Sequence, residues 1–86
     1  MNTMATKINP PEFKGKAYER YKRDLKAWAE VTELAKKKRG IAIALSFPED
    51  DEFGIREKIF DEIDLDELKE DDGLDKLIAF LNLIST

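Results

Sequence analysis

Between Tyr18 and Thr32 the apolar residues Tyr18, Tyr21, Leu25, Trp28 and either Val31 or Thr32 recur at steps of three and four, which gathers them on one side of an α-helix. Glu19, Arg20, Lys22, Arg23, Asp24, Lys26 and Glu30 fall between them, so the opposite face is wet and mainly basic. The run Ile41 to Leu45 lacks this period and fits a buried strand as well as a buried helix. No other segment offers a partner strand, so it is read as a helix, ended by Pro48, which keeps Phe47 out of the helical region. The acidic residues Glu49 to Glu52 suit the start of a third helix, with Ile55, Ile59, Phe60 and Ile63 as its apolar stripe and Phe53 beside them. Asp64 with Leu65 and Leu68 reads as a single capped turn. Asp71 or Asp72 then caps a last helix carrying Leu74, Leu77, Ile78, Leu81 and Ile84 on one face. The pattern predicts an all-α fold, a compact bundle of four to five short helices with Trp28 buried against Leu25, Leu77 and Leu81.

The ends of this bundle are set by punctuation. Met1 to Pro11 is polar, has no periodic stripe and closes on Pro10 and Pro11, so residues 1–11 read as a flexible lead-in and residues 12–86 as one domain. Lys36, Lys37, Lys38 and Arg39 followed by Gly40 resemble a helix end, because cations favour the negative end of the helix dipole and glycine takes a left-handed cap cheaply. The competing break, near Leu34 and Ala35, starts a second helix on those same cations, at a modest electrostatic cost.

Composition narrows the chemistry. The 86 residues are 42% apolar and 40% charged, with neither cysteine nor histidine. Disulfides, thiolate zinc sites and thiol nucleophiles are thereby excluded, as are the commonest metal ligand and the commonest general base. There is no apolar run of about 18 residues, so no membrane-spanning segment is expected.

The 19 carboxylates could suggest acid–base work, but they stand where helix starts favour negative charge, and capping accounts for them better. Asp50, Asp51 and Glu52 are adjacent, whereas metal-binding carboxylate triads come from distant parts of a chain. An EF-hand loop opened at Asp64 places Asp66 well, but the third ligand falls on Leu68 and the required glycine on Lys69. The glycines stand apart at positions 15, 40, 54 and 73, so no phosphate cradle is present. No catalytic, cofactor-binding or metal-binding residue is assigned, and no enzyme activity is expected. Tyr18, Tyr21 and Trp28 could stack on nucleic-acid bases, but their helical spacing fits core packing better.

Charge is distributed unevenly. Residues 1–39 carry 11 basic and 5 acidic side chains, and residues 40–86 carry 4 and 14, giving +6 and −10. Such polarity either offers two opposed surfaces to a partner or is neutralised internally across the fold. If it is offered, the candidate surface comprises Lys22, Arg23, Lys26, Lys36, Lys37, Lys38 and Arg39 on one side and Glu49, Asp50, Asp51 and Glu52 on the other. The stretch Asp64 to Asp72 is the alternative acidic counterpart. The basic residues could also meet RNA phosphates, although the overall charge of −4 argues against strong binding.

Read as a string, Pro11-Glu12-Phe13-Lys14-Gly15 with Tyr18, then Tyr21-Lys22-Arg23-Asp24-Leu25-Lys26-Ala27-Trp28 and Val31-Thr32-Glu33-Leu34, resembles the Gag capsid region of copia-like LTR retrotransposons and their domesticated relatives. Lys36 through Asp50 is similar to the second helix and following acidic turn of such proteins, and Ile55 through Leu81 to the later helices. The resemblance covers residues 10 to 82. It implies a capsid N-terminal domain that joins copies of itself in pentameric or hexameric rings of a virus-like particle in the cytoplasm, weakly associated or monomeric when isolated. RNA would be engaged only indirectly, because the second lobe and zinc knuckle of many such polypeptides have no counterpart here. It also favours the break near Leu34 and Ala35, which we adopt. Ring contacts join unlike faces, and the two charged halves are the expected source of complementarity. A domesticated lobe serving as a peptide- or RNA-binding adaptor is the alternative.

Overall fold

Helix α1 spans Tyr18–Val31 and buries Tyr21, Leu25 and Trp28. The computed structural model describes residues 9–13, 18–50 and 53–84. Within them follow α2 (Lys36–Ser46), α3 (Ile55–Glu62), the single turn α4 (Leu65–Leu68) and α5 (Gly73–Ile84), and no strand occurs among the described residues. The fold is an all-α bundle of short helices.

The apolar stripes assemble one core: Tyr21, Leu25 and Trp28 of α1, Ile43, Ala44 and Phe47 of α2 and its end, Ile55, Ile59 and Ile63 around α3, Leu68 of α4, and Leu74, Leu77, Ile78 and Leu81 of α5. No charged or polar residue is buried among those described, so the core coheres by apolar contact alone. Its edges are narrower than the sequence pattern predicts. Val31, Phe53, Phe60 and Ile84 are exposed, because each lies at or beyond the last turn its helix packs, or a step off the buried stripe.

Two helix starts differ from expectation. Helix α3 begins at Ile55 rather than on the acidic run, entered through Gly54, whose left-handed backbone (φ 62°) reverses the chain as only glycine does cheaply. Glu49 and Asp50 form a turn instead, while Asp51 and Glu52 lie outside the described residues. Asp64 occupies the cap position of α4 without a side-chain hydrogen bond, so α4 rests on the backbone bonds Glu67 N–H and Leu68 N–H to the Asp64 carbonyl.

The break between α1 and α2 falls at residues 32–35, as adopted from the resemblance. Gly40 is thus an interior helix residue, and Gly40, Ile43, Ala44 and Phe47, at steps of three, one and three, form the face that α2 turns inward. The cations Lys36–Arg39 sit at the positive end of α2 with no acidic residue in its first turn. Exposed charges so placed cost about 0.3–1 kcal/mol each. Burial of Ile43 and Phe47, at about 1.5–3 kcal/mol apiece, outweighs them. Arg39 recovers part of the cost by donating from Nε to the Leu34 carbonyl at 3.0 Å. Phe47 is extended (φ −80°, ψ 133°), as the following Pro48 requires.

Candidate self-association surface

Gly40 governs where the charged segments lie. A Cβ added at Gly40 would come within 2.9 Å of the Leu68 carbonyl oxygen and 3.0 Å of the Gly73 carbonyl carbon. Helix α2 therefore crosses the α4–α5 elbow at backbone contact. The turn just before Gly40, with Lys37 on it, is carried to the same end of the bundle as the acidic elbow. There Lys37, Asp66, Lys69, Glu70, Asp71 and Asp72 line one shallow concavity.

The elbow is neutralised only in part from within. Lys76 on the first turns of α5 lies 3.6 Å from Glu67, 3.9 Å from Glu70 and 3.6 Å from Asp72, and Lys69 lies 4.0 Å from Asp66. Desolvation works against the Lys76 ammonium, but Asp72, Glu67 and Glu70 together outweigh it and raise its pKa. Lys36, Lys37, Lys38 and Asp71 make no ion pair among the described residues. All four are exposed. Lys37 thus adjoins the acidic elbow without pairing with it.

The other candidate residues are not gathered at this end. Lys22 turns toward its own chain: Nζ donates to Asn82 Oδ1 of α5 at 2.5 Å, lies 3.3 Å from Glu19 and stands 5.2 Å above the Tyr18 ring. It ties α1 to α5. Arg23 pairs with the adjacent Asp24 at 3.1 Å, and Lys26 is exposed on α1. Glu49 lies 3.5 Å from Arg56, whose guanidinium also donates to the Leu45 carbonyl at 2.7 Å. Glu49 thus helps dock the start of α3, and Asp50 is exposed beside it.

No protein-family model, curated protein or solved structure matches the chain. The likeness to Gag capsid lobes therefore rests on the chain's own residues. Among the described residues no cluster of carboxylates is arranged to hold a metal ion, and no helix is long and apolar enough to cross a membrane.

A second concave feature is apolar. Phe13, Tyr18, Tyr21 and Phe47 form an aromatic wall, with ring centroids 5.2 Å apart for Phe13–Tyr21 and 5.8 Å for Tyr21–Phe47. Phe53, Ile55, Lys58, Leu81 and Ile84 complete a groove of about 180 Å³. Phe13 packs against the Tyr18, Tyr21 and Phe47 rings at the start of the domain. Burial pushes the Tyr21 phenol well above its ordinary pKa; the nearby Ser46 hydroxyl offsets part of the rise and Tyr18 adds to it.

Proposed function

We propose that this chain is a structural lobe that associates with copies of itself, a Gag-type capsid N-terminal domain supplying contacts within a retrotransposon-like particle in the cytoplasm. One observation supports the reading above others: basic and acidic side chains adjoin at one end of the bundle, and Lys37 and Asp71 are left without an ion partner among the described residues. A surface bearing both signs suits a partner bearing both signs, and a polyanion such as RNA would meet Asp66, Glu70, Asp71 and Asp72 alongside the lysines. Exposed ion pairs contribute about 0–1 kcal/mol each, so the isolated lobe associates weakly and a particle gains from repetition.

The test is sedimentation equilibrium of the 86-residue chain up to about 1 mM, where contacts worth about 4 kcal/mol become populated. Concentration-dependent association is expected. A strictly monomeric chain at both low and high salt would overturn the reading. The groove walled by Phe13, Tyr18, Tyr21 and Phe47 favours a second reading, an adaptor lobe that holds a short apolar peptide, and a strictly monomeric chain would turn attention to it.

A further inference from the structure

The concavity between α2 and the elbow holds more geometric information than its charge. Asp66 pairs with Lys69, and Glu70 and Asp72 share the single Lys76 ammonium with Glu67. Lys37 and Asp71, both exposed, are the two residues of this concave surface that make no ion pair among the described residues. They share its lining yet stand more than 4.0 Å apart, since they form no ion pair with each other.

We propose that this concavity is a two-fold contact between copies of the chain, in which Lys37 of each copy meets Asp71 of the other. The inference deepens the self-association reading and rests on it. A partner that satisfies both residues together must present a carboxylate and an ammonium at the same spacing in the reverse order. A second copy turned by 180° about an axis between them does so automatically, and the contact forms twice. A head-to-tail contact would need the two signs on different faces, whereas here they lie on one. The unpaired Lys36 and Lys38, beside Lys37, add to the attraction toward the partner's net acidic elbow. Such a contact closes at two copies. Within a particle it would join neighbouring rings, and ring closure would fall to another face of the lobe.

Reciprocal charge reversal tests the geometry. Lys37 and Asp71 are exposed, so Lys37→Glu and Asp71→Lys keep the helix content of the parent by circular dichroism. Alone, each variant should weaken pairing about tenfold, because both symmetry-related contacts turn repulsive. Mixed in equal amounts they should recover association, with a mass that stops at the dimer. Raising salt from 0.1 M to 1 M shortens the screening length from about 10 Å to about 3 Å and should weaken the parent dimer. Recovery as larger oligomers would overturn the two-fold geometry in favour of a head-to-tail contact. Association that neither variant affects would also overturn the inference while leaving self-association standing. A parent chain that never associates would remove both readings.

Discussion

Gly40 of α2 and Gly73 at the start of α5 meet backbone to backbone: a Cβ on Gly40 would stand 3.0 Å from the Gly73 carbonyl carbon, and one on Gly73 would stand 2.0 Å from the Leu68 carbonyl oxygen. The atoms that would collide with these carbons belong to main chain, which cannot rotate aside as a side-chain tip can. Gly40 therefore sets how closely the second helix approaches the elbow, and with it the position of Lys37 beside the acidic residues, while Gly73 sets how tightly the elbow closes on Leu68.

Alanine at either glycine should destabilise the domain. Gly→Ala inside a helix normally gains about 1 kcal/mol from propensity. Overpacking against rigid neighbours costs about 1–3 kcal/mol. For Gly40→Ala, with contacts at 2.9–3.2 Å, the overpacking term exceeds the gain slightly, and for Gly73→Ala, at 2.0 Å, it exceeds it clearly. Urea unfolding should thus rank the parent above Gly40→Ala and Gly40→Ala above Gly73→Ala. A more stable Gly40→Ala would mean that the close crossing is wrong, and a more stable Gly73→Ala that the tight turn from Leu68 to Gly73 is.

Trp28 is 3% exposed and belongs to the cluster that holds Leu25, Leu77 and Leu81. Its removal leaves a cavity at the join of α1 to the other helices. Trp28→Ala should lower unfolding free energy by about 3–5 kcal/mol, a large part of what a domain this small possesses. Thermal melts of the two proteins that coincide would contradict the arrangement of the bundle.

Tyr21 makes stability depend on alkaline pH. Burial raises its phenol pKa in the folded state above the ordinary value of about 10, so the folded state holds the proton more tightly than the unfolded chain. Its contribution is fully present below about pH 10 and is lost as pH rises from there toward the folded pKa. Tyr21→Phe lacks this proton. The stability of the parent relative to Tyr21→Phe, measured by urea unfolding, should therefore decline between about pH 9 and pH 11. A gap that stays constant across that range would place the phenol in water.

Much of the architecture is legible in the chain itself, and the reason is that helical periodicity is local. Tyr21, Leu25 and Trp28, or Leu74, Leu77, Ile78 and Leu81, fall on one face because of 3.6 residues per turn, whatever surrounds them. Proline acts equally locally at Phe47 and Pro48. Gly40 was harder. Its own chemistry fits a helix end, and only by counting it as the smallest member of the stripe Gly40, Ile43, Ala44 and Phe47 does it read as a crossing point.

The candidate surface divides in the same way. That Lys36 to Arg39 is basic and Asp64 to Asp72 acidic is written in the chain, as is the absence of cysteine and histidine chemistry. Which cations remain available is not. Lys22 and Lys37 are alike as letters, yet one is bound to Asn82 across sixty residues and the other is left exposed beside Asp71. Those pairings depend on the approach of α2 to the elbow and of α1 to α5, which is decided by the fit of Gly40 to Gly73 and by burial of a shared core. Sequence alone determined the apolar stripes of the first and last helices and the sign of each segment. The tertiary structure decided which charges meet, because Coulomb interactions depend on distance through space and distance along the chain does not supply it.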